Sequence, residues 1–145
     1  MRKYITKSES ETMCLAETLC RNIPGGSIVL FRGEMGAGKT AFVRGALKAY
    51  GNMAFVSSPT FALVNDYGGE PHIYHFDMYR VVTEDDLYST GFFDYASDES
   101  VLFIEWSENI RDYIESYYGS KIIDISIDKT GSESERVITV RGGCF

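Results

Sequence analysis

Gly33, Gly38, Lys39 and Thr40 stand at the spacing G-x-x-x-x-G-K-[ST] within "GEMGAGKT". Residues of these types at this spacing cradle phosphate. Glycine lets the backbone take angles that turn successive N–H groups toward phosphate oxygens. The expected loop therefore runs through Gly33, Glu34, Met35, Gly36, Ala37 and Gly38. Lys39 is expected to reach the β- and γ-phosphates as a point charge, and the Thr40 hydroxyl to coordinate magnesium. Ala41 follows; its N–H can serve an α-phosphate, but it brings no hydroxyl. A chance match somewhere along a chain of this composition has a probability of roughly one in a hundred.

A nucleotide with magnesium needs a further acidic group near the metal. Two carboxylates stand where apolar runs end: Asp77 closes "IYHF" and Glu105 closes "VLFI". Ligands of α/β sheets sit at the carboxyl ends of the strands, so both can project beside Thr40. One would orient magnesium, directly or through water, while the other positions the attacking water. Thr60, in "SSPTF", reads either as a sensor of the γ-phosphate and its metal or as part of a Ser-Pro-Thr turn. His75 lies two residues before Asp77, on the same strand face, and reads as a satisfied core histidine before a catalytic one. Trp106 either covers the site or packs in the core. Arg80 either meets a phosphate or pairs with an acid. Asp85, Asp86, Asp98 and Glu99 fall in polar runs and read as solvent-facing.

The elements that must position these groups follow from periodicity. "SESETMCLAETLCRNI" reads as a helix, with Ser8 and Glu11 at capping-box spacing and Met13, Ala16, Leu19, Cys20 and Ile23 recurring on one face. "SIVLF" reads as a buried strand ahead of the phosphate loop. A helix is expected from about residue 39 to 50, with a wide apolar stripe that must pack on a sheet. "AFVSSPTFALVNDY" reads as strand, polar loop, strand. "GGEP" turns the chain into the strand "HIYHFD", which gives a hairpin and hence a mixed sheet. "TEDDLYSTGFFDYASDE" holds a short helix and a helical turn. "SVLFIEW" is a strand, "SENIRDYIESYY" a helix, and "KIIDISID" and "ERVITV" a strand pair joined by a polar turn.

The 145 residues predict one domain spanning 1–145. A net charge of −7 disfavours direct binding of a nucleic-acid backbone over a broad surface. Three cysteines without a Cys-x-x-Cys pair point to neither a disulfide scaffold nor a zinc site. The start lacks a signal-peptide pattern, and no apolar run reaches the roughly 18 residues of a membrane helix. The expectation is a soluble, cytoplasmic protein. A guanine-reading [NT]-K-x-D element is lacking, and "DYGG" at 66–69 matches D-x-x-G only in a hairpin turn. Few arginines follow Glu105, which speaks against the Arg-rich lid of a small-metabolite kinase. Adenine is the base left by elimination.

"GEMGAGKTAFVRG", "SSPTFALVNDY", "HFDMYR", "GFFDY" and "FIEWSE" follow one another in that order at close spacing. This combination strongly resembles the TsaE (YjeE) family, over roughly residues 28–108. The resemblance implies a P-loop α/β sandwich with a mixed, mostly parallel sheet and a hairpin insertion. It implies ATP and Mg2+ bound at residues 36–40, with Thr40 and Glu105 as metal ligands. Asp77, Thr60 and Trp106 match family residues important for hydrolysis or complex function. It also implies TsaD- and TsaB-like partners. Of these, TsaD transfers a threonylcarbamoyl group to the adenosine beside the tRNA anticodon, and the ATPase resets the complex between turnovers. Transfer of RNA contact to those partners agrees with the acidic charge. Ala41 departs from the family, which often has a second Thr there. The segments near 6–11 and 136–141 are expected to border the adenine, with no residue assigned. The competing readings are a small-metabolite P-loop kinase and a nucleotide-gated binding protein with incidental hydrolysis.

Overall fold

The computed structural model describes residues 1–34, 36–54, 56 and 63–142. Met35, Cys144 and the whole of "SSPTF", Thr60 included, lie outside them. The chain runs β1 (Arg2–Thr6), α1 (Glu9–Cys20), β2 (Ile28–Arg32), α2 (Lys39–Ala49), β3 (Val64–Gly68), β4 (His72–Asp77), α3 (Glu84–Ser89), α4 (Phe92–Tyr95), β5 (Ser100–Glu105), α5 (Arg111–Tyr118), β6 (Ile122–Lys129) and β7 (Arg136–Gly142). The seven strands form one sheet in the order β1-β7-β6-β2-β5-β4-β3. The four middle strands, β6, β2, β5 and β4, are parallel. The pairs β1–β7, β6–β7 and β3–β4 at the two margins are antiparallel. The expected mixed sheet is therefore parallel in its middle, and the β3–β4 hairpin is in place.

The two innermost strands, β2 and β5, carry continuous apolar runs, Ile28–Phe31 and Val101–Ile104, because both of their faces are covered. Val29, Phe31, Val101 and Phe103 point to a core shared with α1 and α2. Ile28, Leu30, Leu102 and Ile104 point to a second core roofed by α3, α4 and α5. Every residue of β5 is buried, up to and including Glu105. On the first face, α1 and α2 touch where Gly45 passes the Met13 carbonyl; a Cβ there would lie 2.2 Å from that oxygen. Glycine is thus required for the close crossing that seats α2 on the sheet.

The helix start at Ser8 is as expected: its side chain accepts from the Glu11 N–H at 3.1 Å. The Glu11 carboxylate closes back on the Lys7 N–H, one residue earlier than in a standard capping box. One strand is not named by the sequence reading, and one expected strand is affected. The sequence pattern does not announce β1, whose burial is slight and whose Ile5 is 64% exposed; it is a strand because β7 offers its edge. Of the strand expected at "AFV", Ala54 and Val56 are in no strand among the described residues, and Phe55 lies outside them. The Asn52 side chain accepts from the Ala54 N–H and donates to the carbonyls of Tyr67 and Gly68, so backbone groups here are satisfied by a side chain. Asp85, Asp86, Asp98 and Glu99 are exposed, as their polar runs suggest.

Candidate functional site

The phosphate loop follows β2 directly and ends at Gly38, which precedes α2 with φ 115°. Gly36 also has a left-handed φ, 77°. A side chain at either position would strain the turn that brings backbone N–H groups together. The loop closes on itself through the Ala37 N–H to the Glu34 carbonyl, and α2 starts with the Phe42 N–H on the Gly38 carbonyl. The helix N-terminus, with its inward dipole, thereby faces the same space as the loop.

Lys39 is the first residue of α2 and is only 7% exposed. Its Nζ donates to the Gly33 carbonyl at 3.0 Å and lies 3.6 Å from Glu105 Oε1. The indole of Trp106 sits under it, 4.7 Å from Nζ to the ring centre, close enough for a cation–π contact. Trp106 is the one non-glycine with positive φ among the described residues, at 59°. A bulky residue held in that region is strained, and here the strain turns its ring to the cation. Tyr79 makes a T-shaped contact with the indole in turn, ring centres 5.3 Å apart.

Strand register places the two carboxylates. Asp77 and Glu105 are paired neighbours at the ends of β4 and β5. Asp77 is half-buried, and its Oδ1 accepts from the Tyr79 N–H at 2.9 Å. Glu105 is 5% exposed. His75, fully buried, meets Glu105 Oε2 through Nε2 at 2.6 Å, while its Nδ1 is 3.3 Å from the Tyr67 hydroxyl. Burial is the largest influence on the Glu105 carboxyl and pushes its pKa up. The hydrogen bond from His75, that ring's charge when protonated, and the Lys39 charge outweigh burial, so the carboxyl lies below its usual value. Glu105 is therefore an ionised, low-lying oxygen donor beside a lysine.

These groups line one cleft of about 920 Å³. It brings together Gly36, Ala37, Gly38, Lys39, Thr40, Ala41, Asp77, Glu105 and Trp106. Thr60 and Met35 are not described, and Arg80 is exposed. Three oxygen donors of hard character, Thr40, Asp77 and Glu105, share the cleft, which suits magnesium. Among the described residues no three His, Cys, Asp or Glu side chains cluster as a metal site. A metal here would thus take most of its ligands from phosphate and water, as magnesium does beside nucleotides.

The sequence outlines the far wall of the cleft only as two unassigned segments. Ser8, Glu9 and Thr12 enter from the start of α1 and its N-cap, Glu133 and Ser134 from the β6–β7 turn, and Arg136 from the start of β7. Arg136 donates from Nε to the Ala37 carbonyl at 2.9 Å and from Nη2 to the Gly36 carbonyl at 3.4 Å. It therefore holds the phosphate loop from a strand nearly a hundred residues away. Arg44, on α2, pairs with Glu9 at 3.1 Å across the α1–α2 gap. No local motif marks the role of either arginine: Arg136 is placed by the pairing of β7 with β6, and Arg44 by the packing of α1 on α2.

Residues 6–138 match the family model described as threonylcarbamoyl adenosine biosynthesis protein TsaE. The chain is 30% identical over 138 residues to the tRNA threonylcarbamoyladenosine biosynthesis protein TsaE of Treponema pallidum, covering 95% of this chain and 98% of that protein. It is 31% identical over 138 residues to the Bacillus subtilis protein of that name, covering 94% and 83%. The Rickettsia conorii protein of that name is 40% identical over 110 residues, or 74% of this chain, which spans 62% of that longer relative. Among solved structures, that of Bacillus subtilis YdiB superposes with a TM-score of 0.72 at 28% identity, covering 98% of this chain and 86% of that one.

Proposed function

The chain belongs to the TsaE family, and from that membership we propose that it is a magnesium-dependent ATPase supporting threonylcarbamoyl modification of tRNA at the adenosine beside the anticodon. The observation that carries the ATPase reading is the meeting of Lys39 and Glu105, 3.6 Å apart, in a cleft that also holds the phosphate loop, Thr40 and Asp77. When bound, ATP supplies the phosphoanhydride bond and magnesium the charge that draws electrons from it.

The residues divide the work. Backbone N–H groups of the loop and of the start of α2 hold phosphate oxygens. Lys39 places its ammonium against the β- and γ-phosphates. The Thr40 hydroxyl and Glu105 serve as oxygen donors toward magnesium. Asp77, less buried than Glu105 and one strand over, orients the attacking water and accepts its proton. Trp106 shields the lysine from solvent.

The net charge of −7 favours acting through other proteins that hold the RNA. The proposed partners are TsaD- and TsaB-like proteins, and hydrolysis resets their complex between turnovers. The proposed place of action is the cytoplasm; among the described residues no helix is long and apolar enough to cross a membrane. The test is tRNA modification reconstituted with those partners, over one turnover and then many. The expected result is a first turnover largely independent of this protein and later turnovers that need it together with ATP. Sustained modification with the Lys39→Ala variant would overturn the proposal.

A further inference from the structure

Glu105 has two carboxylate oxygens, and they face different surroundings. Oε1 is the one next to Lys39, at 3.6 Å. Oε2 is taken up by His75 Nε2 at 2.6 Å. His75 is wholly buried, so both ring nitrogens need partners, and both have them. Behind it, Nδ1 meets the Tyr67 hydroxyl at 3.3 Å, which the Asn65 side-chain amide approaches at 3.4 Å. These groups run in a line from β3 through β4 to β5, and the strand register fixes their spacing.

Building on the reading of Glu105 as a magnesium ligand, we propose that His75 is a positioning residue. Its Nε2–H occupies Oε2 and leaves Oε1 as the single oxygen that Glu105 presents to the metal. Glu105 then binds through one oxygen only, in an orientation set by a buried ring. An Nε2–H facing the carboxylate is common to the neutral ring and to the imidazolium; the Tyr67 hydroxyl donates to Nδ1 in the first and accepts from it in the second. Tyr67 therefore holds the ring plane whichever form is present. Outer groups that orient a ligand in this way typically change metal affinity by about 10- to 100-fold when removed.

Two measurements test this. In the protein free of nucleotide and metal, nitrogen-15 NMR of the two histidines, assigned with a His72→Asn variant, reads the ring of His75 directly. The expected result is a proton on Nε2, slow to exchange with solvent; a bare Nε2 overturns the proposal. The second is magnesium affinity in the presence of a non-hydrolysable ATP analogue, read by calorimetry. His75→Leu is expected to weaken it by about 10- to 100-fold. His75→Gln, which keeps an N–H near the same point, is expected to stay within about threefold of the native value. Affinity for the analogue without magnesium serves as the folding control. A folded His75→Leu variant with native magnesium affinity, or a Gln variant as weak as Leu, overturns the proposal. Should the Leu variant not fold, the NMR result and Tyr67→Phe decide; Tyr67→Phe is expected to weaken magnesium by about 3- to 10-fold, and no change overturns the proposal. Glu105→Gln separates the two levels. If it leaves magnesium affinity intact, Glu105 is not a ligand and the underlying reading fails. If it removes magnesium while His75→Leu does not, only this inference fails.

Discussion

The cleft has two walls, and they are made differently. The inner wall stands at the ends of β4 and β5 and at the first residue of α2: Asp77, Glu105, Trp106 and Lys39. Its charged groups are buried or half-buried, and they lean on one another and on His75. The outer wall comes from α1, α2 and the β6–β7 turn. There Glu9, Glu133 and Ser134 are exposed, and Arg136 directs its donors to backbone carbonyls. The contrast separates chemistry from grip. A water-poor wall with fixed charges stabilises developing charge at no reorganisation cost. An exposed wall can shift around a ligand and adds affinity in small increments.

The largest expected effect is on the inner wall. Lys39→Ala should lower ATP turnover by about 100-fold or more, the range for losing a fixed charge at a reacting group. Phosphate release under saturating nucleotide is the measurement. If Arg136→Ala were equally damaging to turnover at saturation, the division between the walls would collapse.

The next effect concerns stability and acid. Glu105 ionises below its usual value of 4.5 in the folded protein. A carboxylate with a depressed folded pKa stabilises the fold above its unfolded pKa, and that contribution is lost as pH falls through the folded value. Glu105→Gln should therefore melt lower than the native protein near neutrality. The gap between the two Tm values should close as the pH drops below about 4.5. Thermal melts at steps from about pH 7 to about pH 3 check this; a gap that widens in acid would contradict the assigned direction.

The inner wall is almost wholly legible in the sequence, and the outer wall is not. Lys39 and Thr40 sit in a contiguous motif, and Asp77 and Glu105 each close an apolar run. Such signals are local, because each residue's position is fixed by the strand or loop that carries it. Trp106 is ambiguous in sequence because its left-handed backbone, which turns the ring to Lys39, has no pattern in residue types. Strand alternation puts His75 on the Asp77 face and in the core, but its contact with Glu105 needs the β4–β5 register. Arg136 depends on the β2–β6 and β6–β7 pairings and a turn, so nothing near it in sequence points to Ala37. The same reasoning accounts for β1, whose residues adopt a strand only because β7 is beside them.

Arg136→Ala probes the outer wall where it touches the loop. It removes donors from the Gly36 and Ala37 carbonyls. Each hydrogen bond contributes about 1 kcal/mol net, so the loop should loosen and KM for ATP should rise by about 3- to 10-fold. Turnover at saturation should change by less than about threefold, because no inner-wall group moves. Steady-state kinetics over a wide ATP range separates the two constants. A fall in kcat matching the rise in KM would mean that the arginine acts on the reacting groups themselves.

The smallest effect is expected at Arg44. It lines the cleft and pairs with Glu9, whose side chain is 66% exposed. Water and salt screen such a pair, and two long side chains lose rotamer freedom in forming it. Arg44→Ala should therefore shift Tm by no more than about 2 °C and KM for ATP by about twofold at most. A double-mutant cycle with Glu9→Ala should give a coupling near zero at physiological salt and a small favourable one at low salt. A large effect of Arg44→Ala on KM that Glu9→Ala does not share would move Arg44 from the grip to the ligand itself. The outer wall would then hold a charge that binds the nucleotide as directly as Lys39, and the two walls would differ in exposure alone.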